Sequence, residues 1–219
     1  MISAAPGPHA GQPIRSAGAP LAEANAAVIL LHGRGADAAS ILPLGQALAV
    51  PGVAIFAPES AENTWYPNTF LAALDQNEPW LGSALAVVDD LFVQIELAGL
   101  SADRVVLGGF SQGACLAADW AIRQPRTLGG LAILSGGAIG PAGIVWNELG
   151  DFAGTPAFLG CGANDSHVPE WRVRETAAQL ERLGATVDCR IYPNLGHTIS
   201  REEIDAVRTI VLSIVGRPR

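Results

Sequence analysis

The chain is poor in sulfur, in positive charge and in long apolar runs. Its 219 residues hold only 3 cysteines. Cys115, Cys161 and Cys189 are widely spaced and form no CxxC pair. An odd, unpaired set excludes a fully paired disulfide framework and suits a reducing compartment, where each thiol serves as a small core residue. The 13 Lys and Arg are outnumbered by 21 Asp and Glu, giving a net charge of -8 and a pI near 4.9. With no basic run to offset that balance, neither nucleic acid nor an anionic membrane surface is an expected partner. No apolar stretch approaches the ~20 residues of a membrane span, and no basic segment followed by an apolar one marks a secretory signal. The expectation is a cytoplasmic chain without integral membrane association. Zinc-ligand spacing, a phosphate-binding loop and a dinucleotide fingerprint are also missing, so no metal or organic cofactor is implied.

What is present is the composition of one substantial core: 49% hydrophobic residues and a mean hydropathy of +0.30 in a chain rather short for two domains. Residues 1–27, rich in Ala, Gly and Pro, read as a surface arm that can add an edge strand. From Val28 onward, β-type runs at 28–31, 53–57, 105–107, 131–134, 157–159 and 187–192 alternate with helical patterns. This predicts an α/β domain over 28–219, with a mostly parallel central sheet and helices on both faces. Leu81, Leu85, Val88, Phe92 and Ile95 form one helical stripe, closed by Gly99. Val173, Ala177 and Leu180 form a second, before Gly184. Ser200 and Glu203 have the spacing of a capping box ahead of a third, Ile204, Val207, Val211 and Ile214. Two long Gly/Pro/Asn-rich connections, 58–79 and 136–156, follow strands and are expected to wall a pocket at the sheet's C-terminal edge.

Gly109, Phe110, Ser111, Gln112 and Gly113 follow the run Val105–Leu107 as a Gly-x-Ser-x-Gly sequence and precede an alanine-rich helical pattern at 114–123. That context is a nucleophile elbow: a strand turning at once into a helix strains the central residue, and small neighbours let the two elements approach. A serine hydroxyl needs a base, usually a histidine held by a carboxylate. With the chain order nucleophile, acid, histidine, His9 and His32 are excluded as the base. His197 lies in a loop between a strand and the capped last helix. His167 stands only two residues from Asp165, too near for easy support by it. Among the acids, Asp119 and Glu175 fall within helical patterns and Asp188 starts a strand, whereas Asp165 follows the strand ending at Leu159. Two main-chain N–H groups suit an oxyanion: Gln112 at the start of its helix, and one from the turn His32–Gly35. His32 is read as fixing that turn and Asp37 as a helix cap.

Five ordered segments then show a family resemblance: LLHGRGAD (30–37), APESAENTWYPNTF (57–70), GGFSQGA (108–114), GANDSHVP (162–169) and YPNLGH (192–197). The chain resembles the phospholipase/carboxylesterase family of α/β hydrolases, which includes acyl-protein thioesterases and small bacterial carboxylesterases. The resemblance implies a minimal α/β-hydrolase fold without a large cap domain. It also implies Ser111 as nucleophile, Asp165 as acid, His197 as base, and the N–H groups of Arg34 and Gln112 as the oxyanion hole. It brings a small-molecule ester substrate and no cofactor, and leaves a homodimer open. Arg34 departs from the aliphatic residue of the thioesterases, so the expectation is a carboxylesterase for short- to medium-chain esters, with a long-chain thioesterase or lysophospholipase as the alternative and a noncatalytic ligand-binding protein as a remote one. Arg34, Trp65, Tyr66, Phe70 and Trp146 are the candidate substrate contacts.

Overall fold

All six residues of β2 (Ala26–Leu31) are buried, and the sheet is built outward from it. The computed structural model describes residues 7–48 and 50–216; the part of the arm before Gly7 lies outside them. Seven strands run in the order β1-β3-β2-β4-β5-β6-β7, with β1 Ile14–Gly18, β3 Val53–Pro58, β4 Val105–Phe110, β5 Gly130–Leu134, β6 Pro156–Gly162 and β7 Thr186–Tyr192. Every pairing is parallel except that of β1, which runs antiparallel along β3 from Ile14 opposite Pro58 to Gly18 opposite Ala54. The arm therefore supplies an edge strand in this structure. β2 also starts two residues before Val28, because Ala26 and Ala27, weak strand formers by composition, pair with β3 and β4.

Five helices cover the faces: α1 Ala38–Leu48, α2 Trp80–Leu97, α3 Gln112–Arg123, α4 Glu170–Arg182 and α5 Arg201–Val215. One core cluster gathers the inward residues of α2, α3 and α4, the other those of α1 and α5. The sheet thus buries its two faces against helices, as a parallel sheet must. In α2, Leu81, Val88, Phe92 and Ile95 are buried, and Gly99 at φ +90° turns the chain away. Ser200 and Glu203 form the reciprocal capping box of α5, while Asp37 Oδ1 accepts from the Ser40 N–H at 2.7 Å to open α1. No helix among the described residues is long and apolar enough to cross a membrane. No large cap domain interrupts the described chain.

Candidate active site

The turn between β4 and α3 is where the sheet's edge becomes a site. Ser111 sits at φ 56°, ψ -120°, a conformation costly for a residue with a side chain. Its neighbours show why it is held there. A Cβ added to Gly109 would stand 2.5 Å from the Leu31 carbonyl oxygen, and one on Gly113 would stand 2.1 Å from it. Only glycine at both positions lets α3 press against β2. Ser111 donates its N–H to Leu134 O at 3.0 Å, and its side chain makes no bond to cap α3. The hydroxyl is left for another partner.

That partner is His197, on the loop from β7 to α5. Its Nε2 lies 2.8 Å from Ser111 Oγ and its Nδ1 lies 2.7 Å from Asp165 Oδ2. With the proton on Nδ1, His197 donates to the carboxylate and accepts from the hydroxyl. Asp165, on the loop leaving β6, has a fully buried side chain; its Oδ1 accepts the N–H groups of His167 at 2.8 Å and Val168 at 2.9 Å. Burial works to raise the Asp165 carboxyl, but the bonds from His197, Val168 and His167 outweigh it and hold the group below its ordinary range. It remains an anion beside the imidazole. The Cys161 thiol donates to Asp165 Oδ2 at 3.6 Å, and the rings of Phe110 and His167 flank His197 at 4.9 and 4.6 Å.

Ser111 and His197 open onto a cavity of about 550 Å³ whose lining also includes Arg34, Tyr66, Phe70 and Gln112. Trp65 and Trp146, named from the sequence as substrate contacts, are not part of that lining. Trp65 is fully buried: its indole N–H donates to His32 O at 2.9 Å, and it lies between the rings of His9 and His32 at 5.5 and 5.0 Å. Trp146 packs against the core cluster of α2, α3 and α4, under the Arg172 guanidinium, 5.2 Å from its ring. The connection 136–156, expected as a wall, contributes nothing to the lining, whereas 66–70 contribute every residue. Proline and glycine content identified both as connections but could not say which one folds inward.

His32 pins its turn through Nδ1–H to Gly33 O at 2.9 Å and by accepting the Ser60 N–H at Nε2, 3.2 Å away. Burial lowers its pKa despite the Gly33 bond and the nearby Glu59 charge, so it stays neutral. Cys115 borders the cavity but is buried, and burial pushes its thiol up to about 12, so it stays protonated. Asp119 and Glu175, set aside from the sequence, bond to Arg123 and Arg172 away from Ser111. Sequence reasoning missed the side chain of Gln112. Its Oε1 accepts the Trp65 N–H at 3.0 Å, and its Nε2 donates to Tyr66 O at 2.8 Å. His9 was missed as well: it ties the arm to the same segment by donating from Nε2 to Trp65 O and accepting the Ala61 N–H at Nδ1. No pattern in the sequence signals either clamp. Among the described residues no group of His, Cys, Asp and Glu could hold a metal ion.

Residues 14–214 match the family model described as phospholipase/carboxylesterase, and the chain belongs to that family of α/β hydrolases. The crystal structure of a phospholipase/carboxylesterase from Dyadobacter fermentans superposes with a TM-score of 0.88 at 42% identity, covering 92% of this chain and 97% of the other. Lysophospholipase-like protein 1 of Mus musculus is 27% identical over 155 residues, 69% of this chain and 64% of that protein. A probable carboxylesterase of Arabidopsis thaliana, SOBER1-like, is 32% identical over 106 residues, 48% of this chain and 40% of that protein. The match thus spans less than two thirds of the length of these two curated relatives.

Proposed function

We propose that this protein is a serine carboxylesterase acting on short- to medium-chain esters through an acyl-Ser111 intermediate. The observation that carries the reading is the unbroken chain Asp165–His197–Ser111, with bonds of 2.7 and 2.8 Å, opening on the cavity. Ser111 Oγ attacks the ester carbonyl carbon while His197 Nε2 takes its proton. The main-chain N–H groups of Arg34 and Gln112 receive the oxyanion, that of Gln112 at the N-terminus of α3 where the helix dipole adds to it. Collapse of the tetrahedral intermediate breaks the bond to the alkoxy oxygen, which leaves with the proton from His197. Water then attacks the acyl-enzyme by the same route, regenerating Ser111. Asp165 orients the imidazole and stabilises its charged form without taking the proton.

Arg34 and the polar side chains of Asn68 and Thr69 in the lining favour shorter acyl groups. A long-chain lysophospholipase or thioesterase is the second reading, favoured by the name of the mouse relative; it uses the same machinery. Hydrolysis of p-nitrophenyl esters from two to sixteen carbons separates the two. A short-chain optimum is expected, lowered by roughly 10³-fold or more in Ser111→Ala. A sixteen-carbon optimum would favour the second reading, and full activity in Ser111→Ala would sink both.

A further inference from the structure

The lining of the cavity has a charge character opposite to that of the chain. Acids outnumber Lys and Arg 21 to 13 overall, yet among the described residues no Asp or Glu borders the cavity, while the charged Arg34 and the imidazoles of His167 and His197 do. The cavity beside Ser111 is thus free of lining carboxylates and edged by a guanidinium.

Arg34 is oriented by carbonyl groups of the cavity wall rather than by a carboxylate. Arg123, Arg126, Arg172, Arg174, Arg190 and Arg201 each have a carboxylate within ion-pair distance. Arg34 is fixed instead by two carbonyl oxygens of the cavity wall: Nη1 donates to Pro67 O at 2.8 Å and Nη2 to Asn68 O at 2.5 Å. Two of the five N–H groups of a guanidinium are thereby used, and the plane is oriented with its positive charge intact. His167 is exposed and its place is likewise set, by its own N–H on Asp165 Oδ1 and by its ring against His197.

We propose that Arg34 and His167 form an anion-accepting rim, and that the preferred substrates are esters bearing a carboxylate beyond the scissile bond, such as hemiesters of short dicarboxylic acids. A carboxylate matches the flat donor fork of an oriented guanidinium, and a charge fixed on one rim orients the ester carbonyl relative to Ser111. Which bond is cut rests on the esterase reading above; the binding of the anion does not.

The test compares kcat/KM for the mono-p-nitrophenyl ester of glutaric acid with that for p-nitrophenyl valerate, a neutral ester of similar length. The wild-type ratio is expected to favour the acid ester and to fall with added salt. Arg34→Met should reduce that ratio about tenfold, His167→Leu several-fold, and Arg34→Lys by an intermediate amount, because the charge stays and the fork is lost. Unchanged ratios in Arg34→Met and His167→Leu would overturn the proposal. Should the wild type hydrolyse neither ester, the esterase reading fails, and calorimetric titration with glutarate decides the rim alone. Binding weakened at least fivefold by Arg34→Met supports it; no glutarate binding, or binding indifferent to the substitution, overturns it.

Discussion

The side-chain amide of Gln112 grips the main chain at Trp65, accepting its N–H at 3.0 Å and donating to the next carbonyl, Tyr66 O, at 2.8 Å. One residue thus offers its own N–H beside Ser111 and fastens the wall across from it. Gln112→Ala leaves a buried donor and acceptor unpaired, at a cost of about 1–3 kcal/mol, and lets the wall drift. A drop of tenfold or more in kcat/KM is expected with a modest fall in Tm; steady-state kinetics beside thermal melting will show it. Activity equal to wild type would mean the clamp is irrelevant to the site.

Gly113 tests how tightly α3 must approach β2. A methyl group there meets Leu31 O at 2.1 Å and His32 O at 2.6 Å, both main-chain atoms that cannot swing aside. Gly113→Ala is expected to lose about 3 kcal/mol or more, or to fail to fold. Gly99→Ala, at φ +90° with nothing within 4 Å of the added carbon, pays only the backbone cost of about 1–2 kcal/mol. Urea midpoints of the two variants provide the comparison, and equal losses would refute the steric account.

Acid should weaken the fold through its buried histidines. Burial lowers the pKa of His9 below 6.5, against the opposing bonds to Trp65 and Trp80 carbonyls. The unfolded chain therefore binds the proton first, and the stability contributed by neutral His9 is lost as pH falls from about 6.5 toward its lower folded value. Asp119 acts with the opposite sign: burial pushes its carboxyl up to about 6, so the folded state gains relative to the unfolded as pH drops through 6. Comparing wild type with His9→Gln cancels the Asp119 contribution. Between pH 7.5 and 5.5 the wild type should lose more stability than the variant; parallel curves would rule His9 out as a source.

The thiols offer a check on burial itself. Cys115 and Cys161 are buried and pushed up to about 12 by that burial, whereas Cys189 is half-buried. Ellman's reagent at pH 8 is expected to titrate at most one thiol rapidly in the folded protein and all 3 in guanidinium. Rapid reaction of two or more in the native state would contradict the packing around β6 and α3.

Much of this arrangement is legible in the residues because it depends on local chemistry. Alternating apolar runs mark β3 to β7, the Ser200–Glu203 pair marks the start of α5, and the two glycines around Ser111 mark an elbow whose geometry permits nothing larger. Other features arise from contacts between distant segments. β1 has the burial pattern of an exposed strand, four of its five residues open to solvent, so no hydrophobic alternation announces it. α1 carries Pro43 inside its length, a residue that argues against a helix when read locally. Trp65 and Tyr66 are adjacent and chemically similar, yet one is entombed between two histidines and the other faces the cavity. Tertiary bonds from Gln112, His9 and His32 accompany that difference.

The fastening of the 65–68 segment through main-chain atoms has a practical corollary for protein engineering. Gln112, His9 and Arg34 hold this stretch by the peptide groups of Trp65, Tyr66, Pro67 and Asn68, and those groups survive replacement of the side chains they carry. The fastening of this wall and the side chains it presents to the cavity are consequently written in separate atoms of the same loop. Saturation of position 69 offers a way to retune selectivity while the hydroxyl, imidazole and carboxylate stay in register.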